Sequence, residues 1–416
     1  MLKSLPLLFL LVTAVCLRAS AQNGCTDPRA SNYNSGAVFN DGSCQYAATT
    51  TPLTTKAQFP SEVVESSGLQ YTDQRLWTFN DSGNEPILYR LDPDLGTIQQ
   101  QVRISNFGNA DWEDIATDAQ FLYIGDFGNN NGDRRDLRIL RIRKADIGAD
   151  AATTVSAEAI QFSYPDQTNF NPGTNNHNFD CEAFFFANDS LHLFTKNWAD
   201  LKTTYYTVPA TPGTHVARRR ASFNVNGLIT AADLNAAGTE ASLLGYNQTN
   251  GATFLWLLFD FPSNGFLQGN KRRIELPNAL FIGQAEGLAF TSRYTMLLSN
   301  EQVLVGSLTI PARLYELNAT QWLAPTLPTA SKQPQTASFT IFPNPASHTL
   351  RVQSQTPFGD GARLLLQDLQ GRIVAATNLG PGATDQQLDL QHVTTGVYVL
   401  RIHSGKGAFF SKVVVQ

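Results

Sequence analysis

Acidic residues recur at the starts of apolar, strand-like segments, and no other residues of this chain are better placed to do chemistry. Five such segments follow one another roughly every 50 residues, and four of them begin with a glutamate. The fourth segment has Thr230 where the others have glutamate. The four glutamates are Glu65, Glu113, Glu182 and Glu286.

A second polar set follows the next strand of each repeat. It consists of Asn80, Asp81, Asp126, Lys196, Asn247 and Asn300. Carboxylate and amide oxygens suit Ca²⁺, which takes about six to eight oxygen ligands. The four glutamates therefore form a candidate metal site, and the second set, together with Trp112, forms a candidate binding site beside it.

Close carboxylates repel one another unless a cation, a proton or a basic side chain balances them. Three interpretations follow. Each acid could anchor its own strand by accepting backbone N–H bonds or by pairing with Arg134, Arg135 or Lys196. The acids could instead share a cation, and that cation could in turn assist catalysis, although the sequence assigns no residue a catalytic role. Trp77 and Trp112 are either core residues or a ligand platform.

Other chemistries are not supported. The sequence has no Gly-x-Ser-x-Gly elbow, no phosphate-binding or dinucleotide-binding glycine motif and no His-Glu-x-x-His. The six histidines are scattered, so a transition-metal site is not expected. The formal net charge is −5, and no basic stripe is present, so nucleic acid is excluded as a partner.

The elements that must position these residues are short β-strands. Each acidic segment is followed by a second and a third strand, and three or four antiparallel strands per repeat are typical of a β-propeller blade. The pattern predicts an all-β fold with a propeller over residues 56–323, of about five blades. The long interval between Glu113 and Glu182 leaves room for a sixth. The run Lys56–Phe59 resembles an outer strand and could complete the fifth blade.

Other segments surround the predicted propeller. Residues 1–21 have the charged, apolar and small-residue regions of a cleaved signal peptide, and the apolar run is too short for a membrane anchor. Residues 22–46 form a small module, in which Cys25 and Cys44 are expected to pair in an oxidising compartment. Its Asp and Asn residues could bind Ca²⁺ or cap Asx turns. Residues 47–55 and 324–336 have linker composition.

Cys181 is the third cysteine of the chain without its signal peptide. It lies in the apolar run Asp180–Phe186, and only His177 is close in sequence as an activating base. A buried, inert thiol is therefore expected rather than a catalytic one.

The last segment, residues 337–416, alternates apolar and polar residues in about seven short strands, which predicts a β-sandwich. Its motifs are Phe342-Pro343-Asn344-Pro345, Asp368-x-x-Gly371, Gly396-Val397-Tyr398 and Lys412-Val413. Together they resemble the type A C-terminal sorting domain of the Bacteroidetes type IX secretion system. The resemblance implies an Ig-like sandwich, the secretion machinery as partner, and a secreted or outer-membrane surface location reached through the periplasm.

The predicted propeller resembles uncharacterised secreted bacterial propellers through Asn80-Asp81-Ser82-Gly83-Asn84, Asp111–Ala116, Gly125–Asn130 and Ala285-Glu286-Gly287. It is more distantly similar to calcium-dependent propeller lactonases. Two functions remain open: a secreted or cell-surface protein that binds a ligand or polymer at one propeller face, and a Ca²⁺-dependent hydrolase of the lactonase or phosphoesterase kind.

Overall fold

The structure is a computed structural model that describes residues 22–324, 339–355, 357–358, 362–368, 373–380, 382–404 and 407–416. The predicted signal peptide and nearly all of the second predicted linker lie outside these ranges. The chain divides into two compact units. One comprises residues 27–34 and 40–327, and the other comprises residues 1–26, 35–39 and 328–416. Within the described ranges, no helix has the length and apolarity needed to cross a membrane.

Short strands dominate residues 22–324, which confirms the all-β prediction. Helical turns occur at Lys144–Asp146 (3-10), at Ala279–Ile282 (α1) and at Thr320–Leu323 (α2). The strands are β1 (Gln22–Gly24), β2 (Ala37–Asn40), β3 (Thr54–Gln58), β4 (Ser66–Thr72), β5 (Arg75–Asn80), β6 (Ile87–Leu91), β7 (Ile98–Ile104), β8 (Trp112–Thr117), β9 (Phe121–Asp126), β10 (Arg138–Arg143), β11 (Ala152–Val155), β12 (Glu158–Ser163), β13 (Asp180–Ala187), β14 (Ser190–Lys196), β15 (Thr203–Pro209), β16 (Gly213–Val216), β17 (Arg218–Phe223), β18 (Leu228–Leu234), β19 (Glu240–Tyr246), β20 (Thr253–Phe259), β21 (Asn270–Glu275), β22 (Gln284–Phe290), β23 (Thr295–Glu301), β24 (Val303–Val305), β25 (Leu308–Ile310) and β26 (Arg313–Asn318).

Five sheets of four or five strands correspond to the five repeats. Sheet I has the order β4-β5-β6-β7-β11, and sheet II has β8-β9-β10-β12-β16. Sheets III and IV are β13-β14-β15-β17 and β18-β19-β20-β21, and sheet V is β22-β23-β26-β3. Neighbours pair antiparallel, except that β11 and β16 add in parallel to the outer strands of sheets I and II. The prediction that a strand near Lys56 completes the fifth repeat is confirmed, because Gln58 pairs with Arg313.

Buried apolar side chains fill the space between successive sheets. Strands near the start of each sheet are buried on both faces, whereas outer strands such as β12 alternate between buried and exposed residues. One apolar layer joins sheets I and II, and equivalent layers join II with III, III with IV and IV with V. A fifth layer joins Leu297 and Leu314 of sheet V to Leu69 and Leu76 of sheet I. The succession of sheets thus returns to its start.

The first strands β4, β8, β13, β18 and β22 contact one another in the same cyclic order. Asp114, on β8, links three of them. Its carboxylate accepts hydrogen bonds from the backbone N–H groups of Ile115 (2.8 Å), Phe184 on β13 (3.0 Å) and Ala232 on β18 (3.2 Å). Asp233 makes a similar bond with the N–H of Phe290 on β22 (2.7 Å). Buried carboxylates therefore tie the first strands together by satisfying N–H groups that have no water within reach.

The first predicted linker, residues 47–55, is partly paired. The N–H of Thr51 donates to the carbonyl of Glu275 (3.0 Å), and the N–H of Glu275 donates to the carbonyl of Thr49 (2.8 Å). Strand β3 begins at Thr54, inside the predicted linker. The Thr-rich composition that suggested a linker here also suits an edge strand.

The described part of the C-terminal segment contains two sheets. They are formed by β27 (Phe339–Phe342), β28 (Thr349–Ser354), β29 (Arg363–Gln367), β30 (Ile373–Asn378), β31 (Asp385–Asp389), β32 (Gly396–Ser404) and β33 (Gly407–Val415). The sheet orders are β27-β28-β31 and β30-β29-β32-β33, and both contribute to one apolar core. The Asn344 side chain accepts from the N–H of Val414 (2.9 Å) and donates to the carbonyl of Lys412 (2.8 Å). The opening and closing motifs of the segment are thereby fastened to each other.

Candidate functional site: a carboxylate cluster at the start of the first strands

The glutamates of three repeats occupy β-bulges. In sheet II the pairing skips from Trp112 to Asp114, and in sheets III and V it skips Glu182 and Glu286 in the same way. A bulge leaves one extra residue unpaired and re-aims its side chain. Thr230 is the bulged residue of sheet IV, where its hydroxyl donates to the carbonyl of Ala285 (2.8 Å). The repeat observed in sequence therefore reflects a repeated distortion of the strand.

The sequence predicts that Glu65 is equivalent to these three glutamates. The structure shows that this prediction is wrong, because Glu65 does not occupy the bulge of its sheet. The bulged residue of sheet I is Gly68, three positions later. Gly68 has a φ of +51°, and a Cβ atom there would lie 2.9 Å from the Cα of Asp114, so a glutamate is excluded. Glu65 precedes β4, is exposed, and its carboxylate accepts a hydrogen bond from the Asn84 amide (2.5 Å).

Two groups of three carboxylates converge on Asp81. One consists of Asp81, Glu286 and Glu301, and the other of Asp81, Asp111 and Glu113. Within each group, one oxygen from every residue lies within 4.8 Å of the others. The residues come from sheets I, II and V, which are brought together by the cyclic order of the first strands. We name these five residues the carboxylate cluster.

Asparagines at the ends of second strands position two members of the cluster. The Asn80 side chain donates to the carbonyl of Glu62 (2.7 Å) and accepts from the N–H of Glu65 (3.2 Å). The Asn300 amide similarly donates to the carbonyl of Pro311 (3.1 Å) and accepts from the N–H of Arg313 (2.8 Å). Both are predicted to bind a ligand, but in the structure their side chains bond to the backbone of the segments that precede β4 and begin β26, next to Asp81 and Glu301.

Glu182 has a basic partner beside the cluster. The Lys196 ammonium contacts both oxygens of the Glu182 carboxylate, and both residues are buried. Lys196 also lies over the rings of Trp198 (4.9 Å) and Tyr246 (5.5 Å). Burial opposes the charge of Lys196, but Glu182 and Glu286 outweigh it and hold the pKa of Lys196 well above its ordinary value. Of the alternatives for the acidic residues, pairing with a basic side chain is therefore the one observed for Glu182.

The cluster carries more negative charge than its surroundings balance. Burial, reinforced by the charge of Glu286, raises the pKa of Asp81 to about 7. Burial and the charge of Asp180 raise the pKa of Asp111 to about 6. Burial and neighbouring carboxylates also raise the pKa values of Glu113 and Glu301 well above the ordinary range. These directions are what close carboxylates in a poorly solvated site require when no cation is present.

Glu301 has an oxygen that points to a further ligand. Its Oε1 atom is buried and has no hydrogen-bond partner among the described residues while the cluster is ionised, since a hydrogen bond between Glu301 and Glu286 requires that one of the two be protonated. A buried acceptor without a partner is costly, at about 1–3 kcal/mol. The cluster offers only carboxylate oxygens as ligand atoms, and this donor set suits a hard divalent cation such as Ca²⁺.

The other predicted binding residues lie elsewhere or are engaged within the fold. Asp126 is buried and pairs with Arg134 (3.1 Å) and Arg138 (2.7 Å), so it anchors sheet II. The Asn247 carboxamide oxygen accepts from the N–H of Thr249 (2.9 Å), as in an Asx turn between β19 and β20. Trp112 is fully buried and packs edge-to-face on Phe79, with ring centroids 5.4 Å apart, so the platform interpretation is wrong.

Asp111 and Glu301 were not predicted, although the sequence carried a signal for both. Glu301 follows Asn300 as Asp81 follows Asn80, so an Asn–acid pair ends the second strand in sheets I and V. Asp111 lies two residues before Glu113 in the Asp-Trp-Glu-Asp motif. Only the glutamate of this motif is predicted from sequence to be a ligand.

The cysteines behave as predicted. Cys25 and Cys44 are disulfide-bonded, and Cys181 is a buried free thiol whose pKa is raised by burial. In the small module, the Asp27 carboxylate accepts from the Tyr46 hydroxyl (2.8 Å) and from Arg29 (2.9 Å). Asp41 accepts from the N–H of Ser43 (3.0 Å), as in an Asx turn. These acids therefore have partners within the protein.

Similarity to solved structures is distant. Three examples are hydrazine synthase of Kuenenia stuttgartiensis (8% identity, TM-score 0.31, 83% of this chain and 74% of that chain), exo-β-1,3-galactanase of Phanerochaete chrysosporium with galactose (10%, 0.37, 91% and 98%), and a putative 6-phosphogluconolactonase of Bacteroides uniformis (11%, 0.29, 80% and 88%). At these TM-scores none of them informs the function of this chain. No curated protein matches the sequence significantly.

The C-terminal segment gives a clear result. The family model described as the secretion system C-terminal sorting domain matches residues 340–416. The match covers the Pro-Asn-Pro and Gly-Val-Tyr motifs and the two-sheet core described above. Residues 340–416 therefore belong to the type IX secretion C-terminal sorting domain family, which indicates export to a secreted or cell-surface location.

Proposed function

We propose that the protein is a secreted or cell-surface five-bladed β-propeller that binds Ca²⁺ in the carboxylate cluster and presents this face to an extracellular ligand. The five sheets are the blades, the first strands line the axis, and β3 completes the fifth blade. The seven-strand C-terminal segment is an Ig-like sandwich in this proposal. The observation that carries it is the convergence of Asp81, Asp111, Glu113, Glu286 and Glu301, together with the unpartnered Glu301 oxygen.

The cation is supported by charge balance. Five carboxylates meet in a poorly solvated site. Lys196 and Arg134, whose charges act on Asp81 and Asp111, are already paired with Glu182 and Asp126. Protonation alone does not balance the site around neutral pH. The pKa of Asp111 is about 6, so this carboxyl is ionised there. A divalent cation offsets two of the negative charges that remain near neutral pH, and an all-oxygen site of this kind suits Ca²⁺.

Calcium titration tests this function. A ligand that binds only the folded state stabilises it by about 2.7 kcal/mol at a hundredfold excess over Kd. We expect Ca²⁺ to raise the melting temperature of the chelator-treated protein. Glu301→Gln should weaken Ca²⁺ binding at least tenfold in calorimetry, because the substitution removes a ligand charge. Glu158→Gln is the control, since Glu158 is exposed on β12 and lies outside the cluster.

Two outcomes would count against the proposal. If wild-type protein is not stabilised by Ca²⁺, the acids serve only the fold. If Glu301→Gln and Glu158→Gln bind Ca²⁺ equally well, the cation lies elsewhere.

A Ca²⁺-dependent hydrolase is the second candidate, and one observation favours it. The pKa values of Asp81 and Asp111, about 7 and about 6, are close to those that a general base needs near neutral pH. Hydrolysis of δ-lactones and of p-nitrophenyl phosphate, with and without Ca²⁺, would separate the two functions. Turnover of either substrate that requires Ca²⁺ would support the hydrolase, and no turnover of either substrate would leave the binding function.

A further inference from the structure

A long loop separates sheets II and III and explains the extra residues between Glu113 and Glu182. It runs over residues 164–179 between β12 and β13, and it contains no helix or strand. The predicted possibility of a sixth blade is therefore not realised at this place. Eight of the eleven residues from 168 to 178 are Asn, Thr or Gly, a composition that seldom packs into a core.

The loop is nevertheless firmly held. Backbone N–H groups of Gly173 and Asn175 donate to the carbonyls of Asn131 and Asn130, each at 2.9 Å. The His177 ring lies 3.1 Å from the carbonyl of Asn130. Further contacts are the Gln167 amide on the carbonyl of Gly132 (2.9 Å) and the Arg135 guanidinium over the Phe170 ring (3.9 Å). Two polar loops are thus joined into one ordered wall.

A cavity of about 560 Å³ lies between this wall and sheet III. Its size falls in the range of small-ligand sites, roughly 300–1,000 Å³. Tyr206 on β15 and Arg219 on β17 line it from the sheet, and Asn169, Asn171 and Asn176 line it from the loop. No member of the carboxylate cluster lines it, so it is a separate site within the same compact unit.

The charges that line the cavity are internally matched. Arg219 lies 3.3 Å from Asp166, and Lys202 lies 3.4 Å from Asp200. The Tyr206 hydroxyl donates to the Asp166 carboxylate (2.9 Å). A charged ligand would have to break one of these pairs, and an apolar ligand would desolvate the amides without replacing their hydrogen bonds.

The amides of the loop remain available. Among the described residues, the side chains of Asn171 and Asn176 have no hydrogen-bond partner, although both line the cavity. An asparagine amide offers two donors and one acceptor oxygen, and a sugar hydroxyl both donates and accepts. Because the loop is already held in place, its backbone loses little conformational entropy when a ligand binds.

We propose that this cavity binds a neutral saccharide, with the loop amides and the Asp166 and Asp200 carboxylates as its hydrogen-bonding groups. The proposal does not depend on Ca²⁺ in the carboxylate cluster, because the two sites share no residue. It goes beyond the proposed function by adding a second ligand site and naming its ligand class.

The test uses the full exported chain and an array of neutral gluco-, galacto-, manno- and xylo-oligosaccharides, followed by calorimetry with the strongest binder. Asn176→Ala should weaken that binding about tenfold, the change expected when about 1.4 kcal/mol of hydrogen bonding is lost. Asn169→Ala should weaken it as well.

Asn250→Ala is a matched control for Asn169→Ala. Both asparagines are exposed, and each accepts from the N–H two residues later at 3.0 Å, but Asn250 lies away from the cavity. Equal melting temperatures would show that all variants fold. The proposal is overturned if no neutral oligosaccharide binds, if only charged glycans or peptides bind, or if Asn169→Ala and Asn250→Ala bind equally. Loss of Ca²⁺ binding in Glu301→Gln with saccharide binding intact would show that the two sites act separately.

Discussion

Asp81 is the residue on which the two carboxylate groups meet, and its ionisation decides the charge of the site. It is partly buried, and the negative charge that acts on it most strongly is that of Glu286. Its single strong stabilising contact is the N–H of Ser82 at 2.5 Å. One such hydrogen bond does not offset burial among like charges, so the acid is held partly protonated near neutral pH.

The sign of the pH dependence follows from these shifts. The folded-state pKa values of Asp81 and Asp111 lie above their ordinary value, so the folded protein holds protons that the unfolded chain releases. Stability from this source is therefore lost as the pH rises from about 4 towards 7. Without a cation, the melting temperature should fall between pH 5 and pH 7.5. Added Ca²⁺ should raise it more at pH 7.5 than at pH 5.

Scanning calorimetry in chelator at both pH values measures this effect. Asp81→Asn should flatten the fall, because the substituted side chain does not titrate. Asp189→Asn is the control, since Asp189 is exposed and its φ of +57° is one that asparagine tolerates. An unchanged slope in Asp81→Asn would show that the pH dependence arises elsewhere.

The sequence predicted some of these residues and missed others for a physical reason. Glu113 and Glu286 were predicted because a glutamate inside an apolar strand is unusual and is repeated. Asp111 and Glu301 lie just outside the apolar runs, where acids are common, so their types alone carried little information. Trp112 could not be distinguished from a ligand platform, because its burial depends on packing against Phe79 from the neighbouring sheet.

At the scale of the element, the bulge is the feature that builds the site, and sequence does not reveal its position. The repeat pattern equates Glu65 with the glutamates of the other sheets, whereas the residue in the equivalent bulge of sheet I is Gly68. A one-residue insertion reverses the faces of all residues beyond it, so an alignment without the bulge misplaces a whole strand. Strand existence was predictable from alternating apolar residues, but strand register was not.

Asp114 should be the residue whose loss most weakens the cohesion of the first strands. Its carboxylate serves N–H groups on β8, β13 and β18, and its removal leaves these buried donors without partners. We expect Asp114→Ala to lower the free energy of unfolding by about 3–5 kcal/mol in urea denaturation. Asp114→Asn should cost less, because one oxygen can still accept the bonds from Phe184 and Ala232.

Asp92→Ala is the matched control for this prediction. The Asp92 carboxylate also accepts two backbone bonds, from Asp94 and Leu95 at 2.9 Å each, but within a single exposed turn. Its removal exposes those N–H groups to water, so the loss should be much smaller than for Asp114→Ala. Equal losses in the two variants would show that Asp114 does not link the sheets.

At the scale of the whole molecule, the sequence predicted the order of the parts better than their boundaries. The two chain ends of the five-sheet unit are joined in sheet V, where β3 pairs with β26. That arrangement was foreseen because an unpaired outer edge would otherwise remain. The start of β3 inside the predicted linker was not foreseen, since Thr-rich sequence serves both linkers and edge strands.

The last prediction concerns export and rests on the C-terminal sorting domain. Removal of residues 337–416 should leave the protein in the periplasm, because the segment that matches the sorting family is then missing. The five-sheet unit should remain folded, since its apolar layers are formed by residues before 324. Cell fractionation locates the truncated protein, and circular dichroism with calorimetry of the purified protein reports its fold.

A second experiment separates a sorting defect from a folding defect. The segment 337–416, fused with its preceding linker to a periplasmic reporter, should carry that reporter to the cell surface in cells with an intact type IX system. The same fusion should stay periplasmic when the system is disabled. Truncated protein that still reaches the surface, or a fused reporter that stays in the periplasm of intact cells, would contradict the prediction, because the sorting information would then lie elsewhere in the chain.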